Sequence, residues 1–322
     1  MRAFPLLSVL ADGEARSLEE LAAAMGSDAR EVEALLEEID AAGIATRRDG
    51  GQVVLPGGLE LLQPQRVQSG LSVAARALLT ELDLHAQIDS TNTEAMRRLE
   101  RGPSGGLVIT AEQQTAGRGR RGRDWASPFG SNLYLTTVWQ FDGGHEVMEG
   151  LSLAVGVAVA EALAEVGLEN VELKWPNDIQ LNGDKLGGIL IEAVGSASGA
   201  ANAVVGIGLN MKMPATAAEA IDQPWTDLSR HLGAISRNAT LASLLNHLLP
   251  LLAEFENRGL GHWRERWQAR DALRGREVTV QQGDGQVAGR ARGIGERGEL
   301  LLDIAGTEQR FSGGEVSIRL SE

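Results

Sequence analysis

Four arginines and three glycines share seven consecutive positions, Gly117-Arg118-Gly119-Arg120-Arg121-Gly122-Arg123, and Asp124-Trp125 follow at once. The chain around them carries 44 Asp+Glu against 30 Lys+Arg, a formal net charge of -14. The run is therefore a local cationic exception in an acidic protein. Glycine lets a backbone approach a ligand closely and adopt φ > 0. Arginine offers planar paired donors that suit carboxylate and phosphate. Together they describe a loop that wraps an anion and is mobile until the anion arrives. A solvated basic loop or a nucleic-acid patch has the same composition, so other segments must decide.

Other small sets of polar residues stand at element ends. Ser90-Thr91-Asn92 precede a helix expected over Glu94 to Arg101. Such residues cap helices, and they also present hydrogen-bonding groups at a helix N-terminus. Strand ends deliver Gln114, Lys174, Asn177, Asp178, Lys185 and Asn210. Each has a plain alternative: Lys185 as an exposed turn lysine, Asn177 and Asp178 as turn residues, Trp125 as a core side chain. Their gathering beside one cationic loop is what suggests a ligand pocket.

The elements that must hold these residues fall into three parts: residues 1–64, 65–271 and 272–322. Phe4 to Leu10 reads as a short apolar helix. Ser17-Leu18-Glu19-Glu20 reads as a capping box, with Gly26 as the stop and Asp28 as the next cap. Val32, Leu35, Leu36 and Ile39 then fall on one helical face. Ile44 to Arg48 and Gln52 to Leu55 flank Asp49-Gly50-Gly51 as a hairpin. Three helices and a hairpin predict a winged helix-turn-helix. Its reading helix, Asp28 to Ala41, carries Glu31, Glu33, Glu37, Glu38 and Asp40 against Arg30 alone. Carboxylates repel phosphates, so DNA contact would fall to Arg30, Arg47 and Arg48, and a packing module is the alternative.

The middle part alternates strands and helices: Ala74 to Leu84 as strand or helix, Leu107 to Ala111 and Asn132 to Trp139 as strands, and a small-residue helix over 150–166. Val171 to Lys174, Ile179 to Leu181, Lys185 to Glu192 and Ala203 to Leu209 are further strands, with an Asn182-Gly183 hairpin turn. Leu241 to Trp267 returns to helix. The predicted fold class is α+β: a mixed, mostly antiparallel sheet backed by helices. The last part reads as short strands, Glu277 to Gln281, Gln286 to Ile294, Leu300 to Ile304 and Gln309 to Leu320, separated by glycine turns. That pattern suggests a small β-barrel.

Composition removes several classes. Cys is 0, so there is no disulfide framework and no thiol chemistry, which fits a reducing cytoplasm. Five histidines and no cysteine leave little for zinc; a metal would be Mg²⁺ held by oxygens and a phosphate substrate, with no direct protein ligation expected. The uncharged apolar stretch Gly150 to Ala160 is too short to span a bilayer, and no membrane role is expected. Net acidity argues against non-specific nucleic-acid binding.

Gly117-Arg118-Gly119-Arg120-Arg121-Gly122-Arg123, Lys174-Trp175-Pro176-Asn177-Asp178 and Lys185-Leu186-Gly187-Gly188-Ile189-Leu190-Ile191-Glu192, in that order, resemble the biotin–protein ligases. With the N-terminal winged helix, the likeness is to those that double as biotin operon repressors, and it covers essentially the whole chain. It implies a central sheet of the class II synthetase and biotin ligase type and an SH3-like C-terminal domain. It implies that ATP and biotin form biotinyl-5′-adenylate with Mg²⁺ present, and that biotin passes to a lysine of the biotin carboxyl carrier protein of acetyl-CoA carboxylase. A homodimer of the adenylate-bound form and operator DNA are further implied partners.

Residue by residue, the resemblance gives catalytic roles to Lys185, Arg118, Arg120 and Asp178. Biotin falls to Ser90, Thr91, Asn92, Gln114, Arg118, Gly119, Arg120 and Lys185. ATP or adenylate falls to Gly117, Arg121, Trp125, Asn177, Asn210 and Arg319. Gln113 or Gln114 can face biotin, and counting back from Gly117 selects Gln114. Gly313-Gly314-Glu315 join Arg319 at the C-terminal end. Lipoate–protein ligases share the implied fold, but the Gly/Arg loop and the Lys-Trp-Pro-Asn-Asp motif set this chain apart from them.

Overall fold

Capping chemistry starts the second and third helices. The Ser17 hydroxyl accepts the Glu20 N–H at 3.2 Å, and the Glu20 carboxylate accepts the Ser17 N–H at 2.7 Å. This is the expected capping box, and Gly26 (φ 64) ends the helix it opens. The computed structural model describes residues 2–102, 105–195, 199–282, 285–312 and 316–320. Its N-terminal part comprises α1 (Phe4–Leu10), β1 (Arg16–Ser17), α2 (Leu18–Met25), α3 (Ala29–Ala41), β2 (Arg47–Asp49) and β3 (Gln52–Val54). The three strands form one sheet in the order β1-β3-β2, so the expected hairpin gains a third strand. Leu6, Leu7, Leu10, Leu21, Val32, Leu36 and Ile39 pack into a core with Phe129, a residue of the middle part.

The middle part begins with α4 (Pro64–Ser69), α5 (Val73–Leu78), β4 (Glu81–His85), α6 (Thr91–Leu99), β5 (Leu107–Ala111), β6 (Leu133–Phe141) and α7 (Leu151–Glu165). The stretch expected as one element over Ala74 to Leu84 is thus a helix and then a strand, broken at Leu79-Thr80. β7 (Glu172–Lys174), β8 (Asp178–Leu181), β9 (Asp184–Gly195), β10 (Ala201–Leu209), α8 (Ala215–Ala218) and α9 (Ser229–Leu232) follow. α10 (Arg237–Arg258) and α11 (Gly261–Gln268) replace the single helix expected over Leu241 to Trp267, divided at Gly259 (φ 60).

The sheet is seven-stranded, in the order β4-β5-β6-β10-β9-β8-β7. Only β4 and β5 run parallel; every other pair is antiparallel. Side chains alternate across it. Leu133, Leu135, Val205 and Ile207 join the large core that holds α7 and α10. Val138 and Val204 point the other way, against Ala95 of α6. The stretch Glu146–Glu165 is long and apolar enough to cross a bilayer by composition, but α7 within it packs on β7, β8, β9, α10 and α11.

The C-terminal part is a five-stranded antiparallel sheet of β11 (Glu277–Gln282), β12 (Gly285–Ile294), β13 (Leu300–Ile304), β14 (Thr307–Phe311) and β15 (Val316–Leu320), in the order β14-β13-β12-β11-β15. The run expected as one strand over Gln309 to Leu320 is two. Val278, Val280, Ala291, Leu300 and Leu302 belong to the large core. The Trp175 indole N–H donates to the Gly298 carbonyl at 2.9 Å, fastening this sheet to the strand that carries the Lys-Trp-Pro-Asn-Asp motif.

Candidate active site

The α6-facing side of the sheet gathers the polar residues. β6, β10 and β9 align Thr136, Gly206 and Leu190 in one row and Tyr134, Gly208 and Gly188 in another. Two glycines in the middle strand leave the sheet bare there. A Cβ on Gly206 would lie 2.2 Å from Asn92 Oδ1, and one on Gly208 would lie 2.5 Å from the Trp125 ring. Glycine at these two positions is what lets a helix start and a loop side chain lie directly on the backbone.

The Gly/Arg loop is a folded excursion in this structure. Gly119 N–H donates to the Arg123 carbonyl at 2.7 Å and Trp125 N–H to the Gly117 carbonyl at 2.9 Å. Arg121 takes a left-handed conformation (φ 59) at its tip and is exposed. Gly117 is a close-approach position, because a Cβ would meet Ser127 Oγ at 2.6 Å and the Trp125 carbonyl at 2.7 Å. From this hairpin Arg120 donates to Asn177 Oδ1 at 3.1 Å, and Arg118 donates to Glu192 Oε2 at 3.1 Å. Burial pulls the Arg120 guanidinium below its ordinary pKa, with Asp178 opposing that shift.

Under the loop, Lys185 Nζ stands 2.7 Å from Asp178 Oδ1, with only 16% and 23% of the side chains exposed. It is therefore not the free turn lysine of the plain alternative. The same ammonium lies 5.5 Å from the Trp125 ring centroid. Asn177 turns its amide N–H onto the Ile189 carbonyl at 2.7 Å, so it serves strand and loop together. Lys174 is close by; burial lowers its pKa, Asp178 raises it and Lys185 lowers it further.

Gln114 accepts the Thr91 N–H at 2.8 Å and donates to Ser127 Oγ at 3.1 Å. Gln113 instead accepts from the Gln87 side chain at 2.7 Å. The geometry brings Gln114, not Gln113, into the cluster. Thr91 and Asn92 are buried in the first turn of α6 and reach Thr136. Ser90 is the N-cap by position, but its side chain makes no capping bond, contrary to the expected Ser/Thr cap, and α6 begins at Thr91. Gln114 Oε1 instead takes the Thr91 N–H, one of the free donors of the first turn. Asn210 is buried with Nδ2 on the Thr226 carbonyl at 3.0 Å, where it fastens the 211–226 loop, while Lys185 pairs along its backbone with Trp225. Asn210 Oδ1 and Trp125 Nε1 are buried without a partner.

Not every expected residue joins this cluster. Arg30, Arg47 and Arg48 lie exposed on the N-terminal part, with Arg48 already 3.5 Å from Asp40. Gly313, Gly314 and Glu315 and the Arg319 side chain lie outside the described residues. No group of three or more His, Asp and Glu among the described residues converges as a metal cage. Two cavities lie at the cluster's edges rather than under its charges: Ser127, which Gln114 meets, lines one, and Trp175 and Pro176, beside Asn177, line the other. One, of about 480 Å³, borders Gly43, Ile44, Leu59, Gln113 and Phe129; the other, of about 420 Å³, borders Ser152, Trp175, Pro176, Arg297 and Gly298. The converging charges, not these cavities, mark the reactive chemistry.

Similarity to known proteins agrees with this geometry. Residues 84–210 match the biotin/lipoate A/B protein ligase family, and residues 274–319 match the biotin protein ligase C terminal domain. The bifunctional ligase/repressor BirA of Salmonella typhimurium is 37% identical over 318 residues, 98% of this chain and 97% of the relative. The chain belongs to the biotin protein ligase family. The biotin–[acetyl-CoA-carboxylase] ligase of Paracoccus denitrificans is 34% identical over 237 residues, 72% of this chain and 98% of the relative. The biotin protein ligase from Aquifex aeolicus, solved with biotin and ATP, superposes with a TM-score of 0.65 at 28% identity, covering 76% of this chain and 100% of that one.

For this ligase, sequence reasoning missed Thr136, Ser127, Glu192, Gly206 and Gly208. The glycines had a signal: Gly206 and Gly208 interrupt an apolar strand, which marks close backbone approach. Glu192 closes the Lys185–Glu192 motif but was given no role of its own; Thr136 and Ser127 had no signal, because ordinary strand and loop residues acquire roles only through their neighbours.

Proposed function

We propose that this chain is a biotin–protein ligase that makes biotinyl-5′-adenylate from biotin and ATP and transfers biotin to a lysine of the biotin carboxyl carrier domain of acetyl-CoA carboxylase. The observation that carries this reading is the convergence of Arg120, Asn177, Asp178 and Lys185 beneath the Gly/Arg loop. In the first step a biotin carboxylate oxygen attacks the α-phosphorus, and the bond to the leaving pyrophosphate breaks. In the second, the acceptor amine attacks the acyl carbon, AMP leaves, and the amine gives up a proton.

Neither step needs a protein nucleophile. Both need anions held together, charge stabilised on the phosphoryl oxygens, and an anhydride shielded from water. Lys185 steers the carboxylate and then polarises the acyl carbonyl. Arg118 and Arg120 neutralise charge above it, with Gly117, Gly119 and Arg121 shaping the loop. Asp178 orients the acceptor amine and takes up its proton. Ser90, Thr91, Asn92 and Gln114 meet the ureido ring, and Trp125, Asn177, Asn210 and Arg319 meet the adenylate. Mg²⁺ carried by the triphosphate would offset part of its charge; among the described residues no group of three or more His, Asp or Glu converges to hold it directly. Incubation with ATP, Mg²⁺, biotin and a carrier domain, read by mass, should add one biotin to one lysine. Lipoate addition in place of biotin would overturn the reading, although the names of the relatives favour biotin.

The same reading divides the chain at 64 and 271 into a winged helix-turn-helix, a catalytic domain and an SH3-like domain, in a cytoplasmic protein that pairs as a homodimer when adenylate is bound. A biotin-responsive repressor is the second activity, favoured by the relatives named ligase/repressor. The exposed face of α3 opposes it: Glu31, Glu33, Glu37 and Asp40 are exposed there beside Arg30. At physiological salt, repulsion is screened only beyond about 8 Å, and groove contacts are closer. Weak operator binding or none is expected in a gel shift with biotin and ATP present. Nanomolar, sequence-selective binding would make the protein a full repressor.

A further inference from the structure

We propose that Glu192 is a positioning residue for the ligase reaction, tying the Gly/Arg loop to the pocket floor through one carboxylate oxygen and fixing the orientation of the Asn92 amide that biotin's cyclic urea meets. The proposal rests on the assignment of biotin to this pocket. Glu192 Oε2 accepts from Asn92 Nδ2 at 2.8 Å and from Arg118 Nη2 at 3.1 Å. The first donor comes from the start of α6 and the second from the loop, so one atom of β9 joins the two segments that enclose the pocket.

The orientation argument follows from donor and acceptor counting. An ionised carboxylate only accepts, so the amide must turn its NH₂ toward Glu192. Its oxygen then faces the buried Thr136 hydroxyl, 2.6 Å away. The Thr136 oxygen also lies 2.8 Å from the Thr91 hydroxyl, which can donate or accept, whereas Asn92 Oδ1 can only accept, so the single Thr136 proton goes to Asn92 Oδ1. Gly206 keeps the neighbouring strand clear at that oxygen. One of Asn92's two amide hydrogens is consumed by Glu192. With a neutral amide at position 192, Asn92 can turn over and exchange donor for acceptor at the pocket. The Arg118 ion pair has a second consequence. The guanidinium is 44% exposed and Glu192 25% exposed, so the pair bridges a partly wet boundary and acts as a clasp on the loop.

The test is Glu192→Gln in the full chain, beside Asn92→Ala, Arg118→Met and the double variant Arg118→Met/Glu192→Gln. The glutamine variant should raise the KM for biotin at least about tenfold while the KM for ATP stays within about twofold. It should also release preformed adenylate faster, and the double variant should release it no faster than the quicker single variant, since both act on one clasp. Glu192→Asp, which keeps the charge on a shorter stem, should recover part of both losses, and it carries the comparison if the glutamine variant does not fold. A purely structural role would shift melting and leave the biotin-to-ATP KM ratio unchanged. Biotin KM and adenylate release both at parental values in a folded Glu192→Gln would overturn the proposal. If Asn92→Ala also leaves the biotin KM unchanged, the pocket assignment falls with it; if Asn92→Ala alone raises it, only the role of Glu192 is lost.

Discussion

Two polar networks in this ligase use the same chemistry to opposite ends. The first ties the connector after the N-terminal part to the sheet. Arg237 Nη1 donates to Glu112 Oε2 at 2.6 Å, with 6% and 0% of the side chains exposed. Arg237 also donates to the Asn132 and Glu60 carbonyls, and Glu112 Oε1 accepts the Leu62 N–H at 2.5 Å. Glu60 takes the Arg237 N–H, the Ser236 hydroxyl and the Asn238 amide. Every one of these charges is saturated by the protein. The second network is the proposed active site, where Lys185 and Asp178 share one contact at 2.7 Å and Asn210 Oδ1 and Trp125 Nε1 are buried without partners. A saturated network has nothing left for a ligand, so it holds structure. An unsaturated one keeps hydrogen-bonding capacity in reserve, and that reserve is where substrate can be recognised.

Breaking the saturated network should cost the most stability. Arg237→Ala strands Glu112 in the core, a loss of about 3–5 kcal/mol, read by urea denaturation, with turnover of the folded fraction near normal. A loss below about 1 kcal/mol would mean the network is no more structural than a surface pair. Lys185→Ala should invert that pattern. Charge-assisted contacts contribute roughly 1.5–3 kcal/mol, so the first step should slow about 10- to 150-fold while ATP binding and melting change little. An unchanged rate of pyrophosphate release removes Lys185 from the mechanism.

Asp271 is an intermediate case, half-buried, and unsaturated like the second network. Its Oδ1 accepts the Leu273 N–H, its Oδ2 has no partner, and burial pushes its pKa from 3.8 up to about 6. The folded state therefore holds more protons between those values, and stability falls as pH rises through that window. Asp271→Asn should gain about 1–3 kcal/mol at pH 7–8 and flatten the slope between about pH 4 and 6. An unaltered slope would show that the carboxylate is solvated. The smallest change expected is from Arg120→Gly. Ligation continues, but adenylate should escape about tenfold faster, seen as biotin-dependent labelling of unrelated proteins. Release at the parental rate would show that Arg120 does not hold the site closed.

Local signals in the sequence carried much of the fold. The Ser17–Glu20 box, the Asp28 cap on Glu31 and the Asn182-Gly183 turn are set by neighbours within a few residues, and all three stand in the structure. Strand alternation over Asn132 to Trp139 puts Leu133 and Leu135 on one face and Thr136 and Val138 on the other, as the structure has them. Boundaries were harder to read where one apolar run serves two elements, as at Leu79-Thr80 and Gly259.

The sequence alone determined the chemistry on offer: a cationic loop in an acidic chain, three motifs in a family's order, and no thiol. Tertiary structure alone decided which groups are saturated. Arg237 and Glu112 are 125 residues apart, and Arg118 and Glu192 are 74 apart. The Gly/Arg run marks Arg118 locally, but nothing local names the partner either arginine meets. One was carried into a dry seam full of carbonyls and the other to a half-wet rim. The reason is physical: an arginine's type fixes its charge and donors, whereas the water and acceptors left around it depend on how distant segments pack.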